Sequence, residues 1–136
     1  MFVLCFDFGE KYIGVAIGQN ISKTATPLCT IVVKNKHCLW SAMCTLIDTL
    51  KPLYIIVGRP IDLSFNNLFL LNKIDKFIFT LKNKFKIEVY SIDESLSTWY
   101  VKKSYSFKKN KDYYKKVNSC SAMILLEQWF CGDRCL

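Results

Sequence analysis

The chain has 136 residues, 51% of them hydrophobic and 15% aromatic, with a formal net charge of +8. That length suits one folded domain with a real core, that composition argues against disorder, and no apolar run approaches the roughly 18 residues a membrane-spanning helix needs. Nineteen basic residues face eleven acidic ones, and all but two of the basic ones are lysine. Such an excess suits a polyanion, because each phosphate it neutralises releases a condensed counterion. A genome rich in A and T raises Lys, Asn, Ile, Phe and Tyr together and accounts for the excess equally well, so the clustering of the lysines has to decide.

In chain order, Phe2 to Phe8 reads as a strand that is apolar except at Asp7, as expected where both faces of a sheet are covered. Gly9 makes a turn, Lys11 to Ile17 returns as a second strand, and Leu28 to Val33 after Pro27 is a third. These three are expected to form an antiparallel meander. His37 to Leu50 carries Leu39, Met43, Leu46, Ile47 and Leu50 at helical spacing and stops at Lys51-Pro52. Leu53 to Val57 is a short buried strand. Asn66 to Phe85 is a second helix with Leu68, Leu71, Ile74, Ile78 and Leu81 along one stripe, and Ile87 to Ile92 is a fifth strand.

Ser97 or Thr98 can cap a third helix through about Tyr105, and a lysine-rich loop is expected over Lys108 to Lys116. Asn118 then caps a last helix, Ser119 to Phe130, with Ala122, Ile124, Leu125 and Trp129 facing inward. The pattern predicts a single α/β domain over residues 1–136. Seven cysteines, an odd number without a C-x-x-C pair, and the lone His37 do not read as a zinc site or a disulfide framework. Reduced, mostly buried thiols are expected. The opening segment has no basic n-region, so no signal peptide is expected and the protein is placed in the cytoplasm.

Asp7 is the sharpest chemical signal. An ionised carboxylate within a strand of Phe, Val, Leu and Cys costs several kcal/mol unless a cation or hydrogen-bond donors receive it. A turn-capping role is the plain alternative. Asp93-Glu94 closes the fifth strand, and adjacent strand residues point to opposite faces, so at most one of them can face Asp7. Two carboxylates from separate strand ends suit a hard divalent cation; a turn-starting Asp93 beside a solvated Glu94 is the alternative.

Four ordered blocks then resemble one family. Asp7-Phe8-Gly9 with Lys11 and Ile13-Gly14-Val15-Ala16-Ile17-Gly18 is similar to the opening D-x-G-x-K-x-I-G-V-A of the YqgF (RuvX) family. Tyr54 to Gly58 with Pro60 resembles its I-V-G-x-P segment, Asp93-Glu94 with Leu96-Ser97-Thr98 its D-E-x-L-S-T signature, and Asn118-Ser119 with Ser121-Ala122 its D-S-x-A-A helix. The resemblance spans nearly the whole chain. It implies a ribonuclease H-like fold, a mixed five-stranded sheet flanked by helices, with a Mg²⁺ or Mn²⁺ site for phosphodiester hydrolysis. It further implies a role in maturing the 5′ end of 16S rRNA, and kinship to Holliday-junction resolvases.

By that resemblance the catalytic positions are Asp7, Glu94 and residue 118, with Asp7 and Glu94 holding the metal. Here the third is Asn118, whose carbonyl can ligate a cation but adds no charge. Asp112 lies six residues upstream as a substitute carboxylate. The chain departs again where Leu63-Ser64-Phe65 replaces the family's glycine, and where Ser95 replaces its arginine.

The lysines between Lys102 and Lys116 are interleaved with Tyr105, Phe107, Tyr113 and Tyr114, between the Glu94 segment and residue 118. Basic groups can hold phosphates while aromatics stack on unpaired bases. Lys108, Lys109, Lys111, Lys115 and Lys116 are therefore candidate nucleic-acid contacts, together with Lys11 and with Arg59 as a phosphate fork. The expected partner is structured RNA or branched DNA, with ribosomal particles a further candidate, no membrane, and a monomeric or weakly dimeric chain. Three other readings stay open: a binding module of the same fold that has lost catalysis, a resolvase-like DNA repair factor, and an ATPase built on the Asp7–Gly18 hairpin. The last would need a second domain to close on the nucleotide.

Overall fold

A computed structural model describes residues 1–60, 65–93 and 111–132. The elements are β1 (Phe2–Asp7), β2 (Tyr12–Gln19), β3 (Thr24–Val32), α1 (Lys36–Leu50), β4 (Tyr54–Arg59), α2 (Phe65–Phe85), β5 (Val89–Asp93) and α3 (Lys111–Phe130). The expected helix over 97–105 lies outside the described residues.

The strands form one sheet in the order β3-β2-β1-β4-β5. β1–β2 and β2–β3 pair antiparallel, whereas β1–β4 and β4–β5 pair parallel. This is the expected meander continued by two parallel strands. β1 is central and covered on both sides, so every residue from Val3 to Asp7 is buried, which explains its unbroken apolar run.

Strand alternation divides the core in two. Leu4, Phe6, Ile13, Val15, Ile55 and Val57 face α1 and α2, where they meet Leu39, Met43, Ile47, Ile74, Phe77 and Leu81. Val3, Cys5, Ala16, Ile56 and Ile92 face α3 and its Ala122, Leu125, Leu126 and Trp129. The α2 stripe is rotated from the one expected: Phe77 is buried at 3% exposure, whereas Leu68 is exposed at 47%. An edge-to-face contact with Phe6 at 5.9 Å holds Phe77 inward.

Most boundaries shift by a residue or two from the sequence reading, and three of the shifts have a clear local cause. β3 begins at Thr24 and contains Pro27, which is tolerated because β3 is an edge strand and a register shift sits at Val15/Ala16 beside it. α1 begins one residue earlier, capped by Asn35, whose side chain accepts from the Cys38 amide at 2.8 Å. It ends at Lys51 in the left-handed region (φ 46°), ahead of Pro52.

The third difference concerns α3. It starts at Lys111, so residues 111–116 are helical rather than loop, and Asn118 lies inside the helix rather than capping it. No glycine or proline interrupts that stretch, and an interior asparagine costs only about 0.5–0.7 kcal/mol relative to alanine, which docking on the sheet outweighs. The thiols were expected to be mostly buried, yet among the described cysteines only Cys5 is buried; Cys29, Cys38 and Cys131 are exposed.

Candidate active site

Asp7 is the last residue of β1 and is 2% exposed. It follows Val3 and Cys5 on the sheet face covered by α3, since alternate residues share a face. Its register partner across the antiparallel pair is Gly14. The return from β1 to β2 is tight enough that a Cβ on Gly9 would lie 2.5 Å from the Tyr12 carbonyl oxygen.

Gly14, Ala16 and Gly18 recur every second residue of β2 and form a track of minimal side chains under α3. A Cβ on Gly14 would collide with the Asn118 carbonyl group and lie 2.9 Å from the Ser119 amide nitrogen. A Cβ on Gly18 would lie 2.8 Å from Leu126 Cδ2 and from Phe130 Cε2. The helix backbone therefore rests directly on β2, and the place where it rests is the residue paired with Asp7. By this route two of the three expected catalytic positions, Asp7 and Asn118, are delivered to one spot.

The Asp93-Glu94 ambiguity is reduced by the same alternation. Ile92 packs in the α3-side core, so Asp93 points to the other face, in register with Arg59, and is exposed. Asp93 is thereby removed as a partner for Asp7. Glu94 lies outside the described residues, as do Lys108 and Lys109. Among the described residues no group of three or more His, Cys, Asp or Glu side chains comes together.

Lys11 is exposed in the β1–β2 connection, four residues beyond Asp7, with its carbonyl accepting from the Val33 amide at 2.8 Å. Lys111, Lys115 and Lys116 lie on the first two turns of α3. Arg59 ends β4 at the same rim but follows Val57 onto the α1/α2 face, where its Nη2 pairs with Asp75 Oδ1 at 3.3 Å. The phosphate fork expected of it thus does not face Asp7. Asp112 is likewise helical, and six residues of helix separate it from Asn118 by about 9 Å along the axis, so it cannot swing in from a loop.

Sequence reasoning missed the positioning role of Gly14, and it placed Ser119 and Ser121 in a motif without foreseeing their burial. Ser119 is 8% exposed and Ser121 is fully buried. The available signal was the run of small residues at strand period, Gly14, Ala16 and Gly18, which marks where a helix backbone approaches a sheet closely.

Comparison with known proteins agrees with this geometry. The Thermus thermophilus RuvC structure in complex with Holliday junction substrate superposes with a TM-score of 0.61 at 13% identity, over 98% of this chain and 96% of that one. The Fowlpox virus resolvase in complex with Holliday junction DNA gives 0.60 at 17% identity, over 97% and 98%. At such identities the likeness establishes the fold, which is ribonuclease H-like.

Sequence relatives are much nearer. A protein of Buchnera aphidicola subsp. Acyrthosiphon pisum named "Putative pre-16S rRNA nuclease" is 42% identical over 135 residues, covering 96% of this chain and 98% of its own. One of the same name from Shewanella oneidensis is 33% identical over 130 residues, covering 94% and 92%. The model of the RuvX family, described as Holliday junction resolvase, matches residues 1–132. With a buried aspartate seated where that family's opening motif falls, and with the match running through α3, the chain belongs to the RuvX family.

Proposed function

We propose that this chain is a metal-dependent nuclease that hydrolyses phosphodiester bonds, and that its substrate is the 5′ region of precursor 16S rRNA. The observation that carries the reading is Asp7: a carboxylate 2% exposed, at a strand end, on the face where α3 brings Asn118 against its register partner. The names of the relatives favour rRNA over a DNA junction as substrate.

The donors at hand fit a hard divalent cation. Asp7 offers anionic oxygens and Asn118 a neutral carbonyl oxygen, both suited to Mg²⁺ or Mn²⁺. Because Asp93 points away, the second carboxylate is assigned to Glu94. When bound, such a cation lowers the pKa of a water and stabilises the departing oxygen. The chain's own part is to hold the Asp7 side chain buried at the end of β1, where the cation would meet it. Lys11 and the α3 lysines, with Lys108 and Lys109, grip the flanking phosphates. The protein is read as one domain over residues 1–136, monomeric or weakly dimeric, working in the cytoplasm on RNA or ribosomal particles. Among the described residues no helix is long and apolar enough to cross a membrane.

The test is cleavage by the purified chain, with Mg²⁺ or Mn²⁺, of an end-labelled precursor-16S fragment and of a four-way DNA junction. Cleavage of the RNA is expected, abolished by chelator and lowered more than about 100-fold by Asp7→Asn, since even outer-sphere changes at metal sites cost about 10–100-fold. Cleavage indifferent to Asp7→Asn would remove the assignment.

A further inference from the structure

A broad concavity lies not at Asp7 but on the opposite face of the sheet, between α1 and α2. It has a volume of about 720 Å³ and continues into a second hollow of about 560 Å³ that shares Lys36, Trp40 and Thr80 and extends the groove to Lys84. Trp40 and Phe77 form its floor, their ring centroids 5.6 Å apart and their planes tilted by 35°. Phe79 stands at its lip, 69% exposed.

The charge around this aromatic floor is one-sided. The acidic side chain of the groove, Asp75, is held by Arg59 at 3.3 Å, and Lys73 is held by Glu10 at 3.2 Å. Lys36, Lys76 and Lys84 have no ion pair among the described residues. Three uncompensated ammonium groups along an aromatic trough match a polymer that alternates anionic linkages with flat rings.

The groove also reaches the candidate active site. Phe8 lines it and is the neighbour of Asp7 in the chain, on the other face of the sheet. α1 starts directly after β3, whose last residue pairs with Tyr12 at the beginning of β2, so the groove opens at the rim where β1 ends. We propose that the α1–α2 groove binds a single-stranded segment of nucleic acid, its bases against Trp40 and Phe79 and its phosphates on Lys36, Lys76 and Lys84. The identity of the polymer rests on the nuclease reading above. The segment is the unpaired extension of a substrate whose scissile bond lies across the rim at Asp7.

The test uses the full chain and a fluorescein-labelled oligouridylate of twelve nucleotides in chelator, so that binding is read without cleavage. Combined Lys36→Glu, Lys76→Glu and Lys84→Glu is expected to weaken binding at least 10-fold and to flatten the dependence of log Kd on log salt by about two, from about 0.7 per phosphate released. Phe79→Ser, at a position already exposed, is expected to weaken binding several-fold, and Trp40→Phe to abolish most of the tryptophan quenching on binding. Should the triple variant fail to fold, these two carry the test.

Asp7→Asn should bind the oligomer as the parent does. Loss of cleavage with that binding intact leaves the groove standing when the nuclease reading is examined separately. Unchanged affinity in the folded groove variants would overturn the proposal. So would equal competition by an oligoglutamate of the same length, which would assign the groove to acidic peptides. A dimer split by Phe79→Ser with RNA binding unaffected would assign it to a second copy.

Discussion

Asn118 carries the residue-scale question, because it replaces the carboxylate of the family pattern. Its place inside α3 rather than at the start makes the exchange clean: Asn118→Asp changes charge without changing a helix cap. One added unit charge about 4 Å from a cation contributes at most about 4 kcal/mol per cationic charge at an effective dielectric of 20. Asn118→Asp is therefore expected to tighten Mn²⁺ binding at least tenfold by calorimetry and to raise cleavage. No change in either would show that another residue supplies the third oxygen. Asp7 was legible in the sequence because a carboxylate in an apolar strand is costly wherever it lies. The setting of Asn118 was not, since asparagine serves equally as a cap or as a tolerated interior residue, and nothing between Lys111 and Asn118 breaks a helix.

At the scale of elements, the docking of α3 on β2 is what joins the two halves of the site. Gly14→Ala places a methyl group where the Asn118 carbonyl lies, so the helix must move. Overpacking of this kind costs about 1–3 kcal/mol. A lower urea midpoint with an unchanged slope is expected, along with loss of cleavage beyond what the instability explains. Retained activity would mean that α3 need not sit where it does. The strands and helices themselves followed from periodicity, and their order from short connections. What periodicity could not supply was rotation and edge. Phe77 rather than Ile78 fills the core because Phe6 and Trp40 offer it ring contacts from other elements. Pro27 reads as a stop signal until β3 is known to be an edge.

For the whole molecule, the sheet acts as a partition. On one side α3 covers the face that bears Asp7; on the other, α1 and α2 cover most of the face but leave a lysine-lined trough between them. The two approach each other at the rim where β1 ends, with Asp7 on one face and Phe8 on the other. A lysine excess that composition alone could not separate from genome bias gains meaning there, because Lys36, Lys76 and Lys84 line one groove and lack acidic partners among the described residues.

β3, finally, is the long outer strand, nine residues of mostly exposed chain with the apolar Leu28 and Val32 among the exposed ones. A regular strand of that length would offer a template on which further molecules could stack into fibrils. The rigid ring of Pro27 and the displaced register beside it spoil that template without loosening the sheet within. Pro27→Thr should leave cleavage intact yet shorten the lag before thioflavin-positive deposits form at high concentration; an unchanged lag would show that solubility is secured elsewhere.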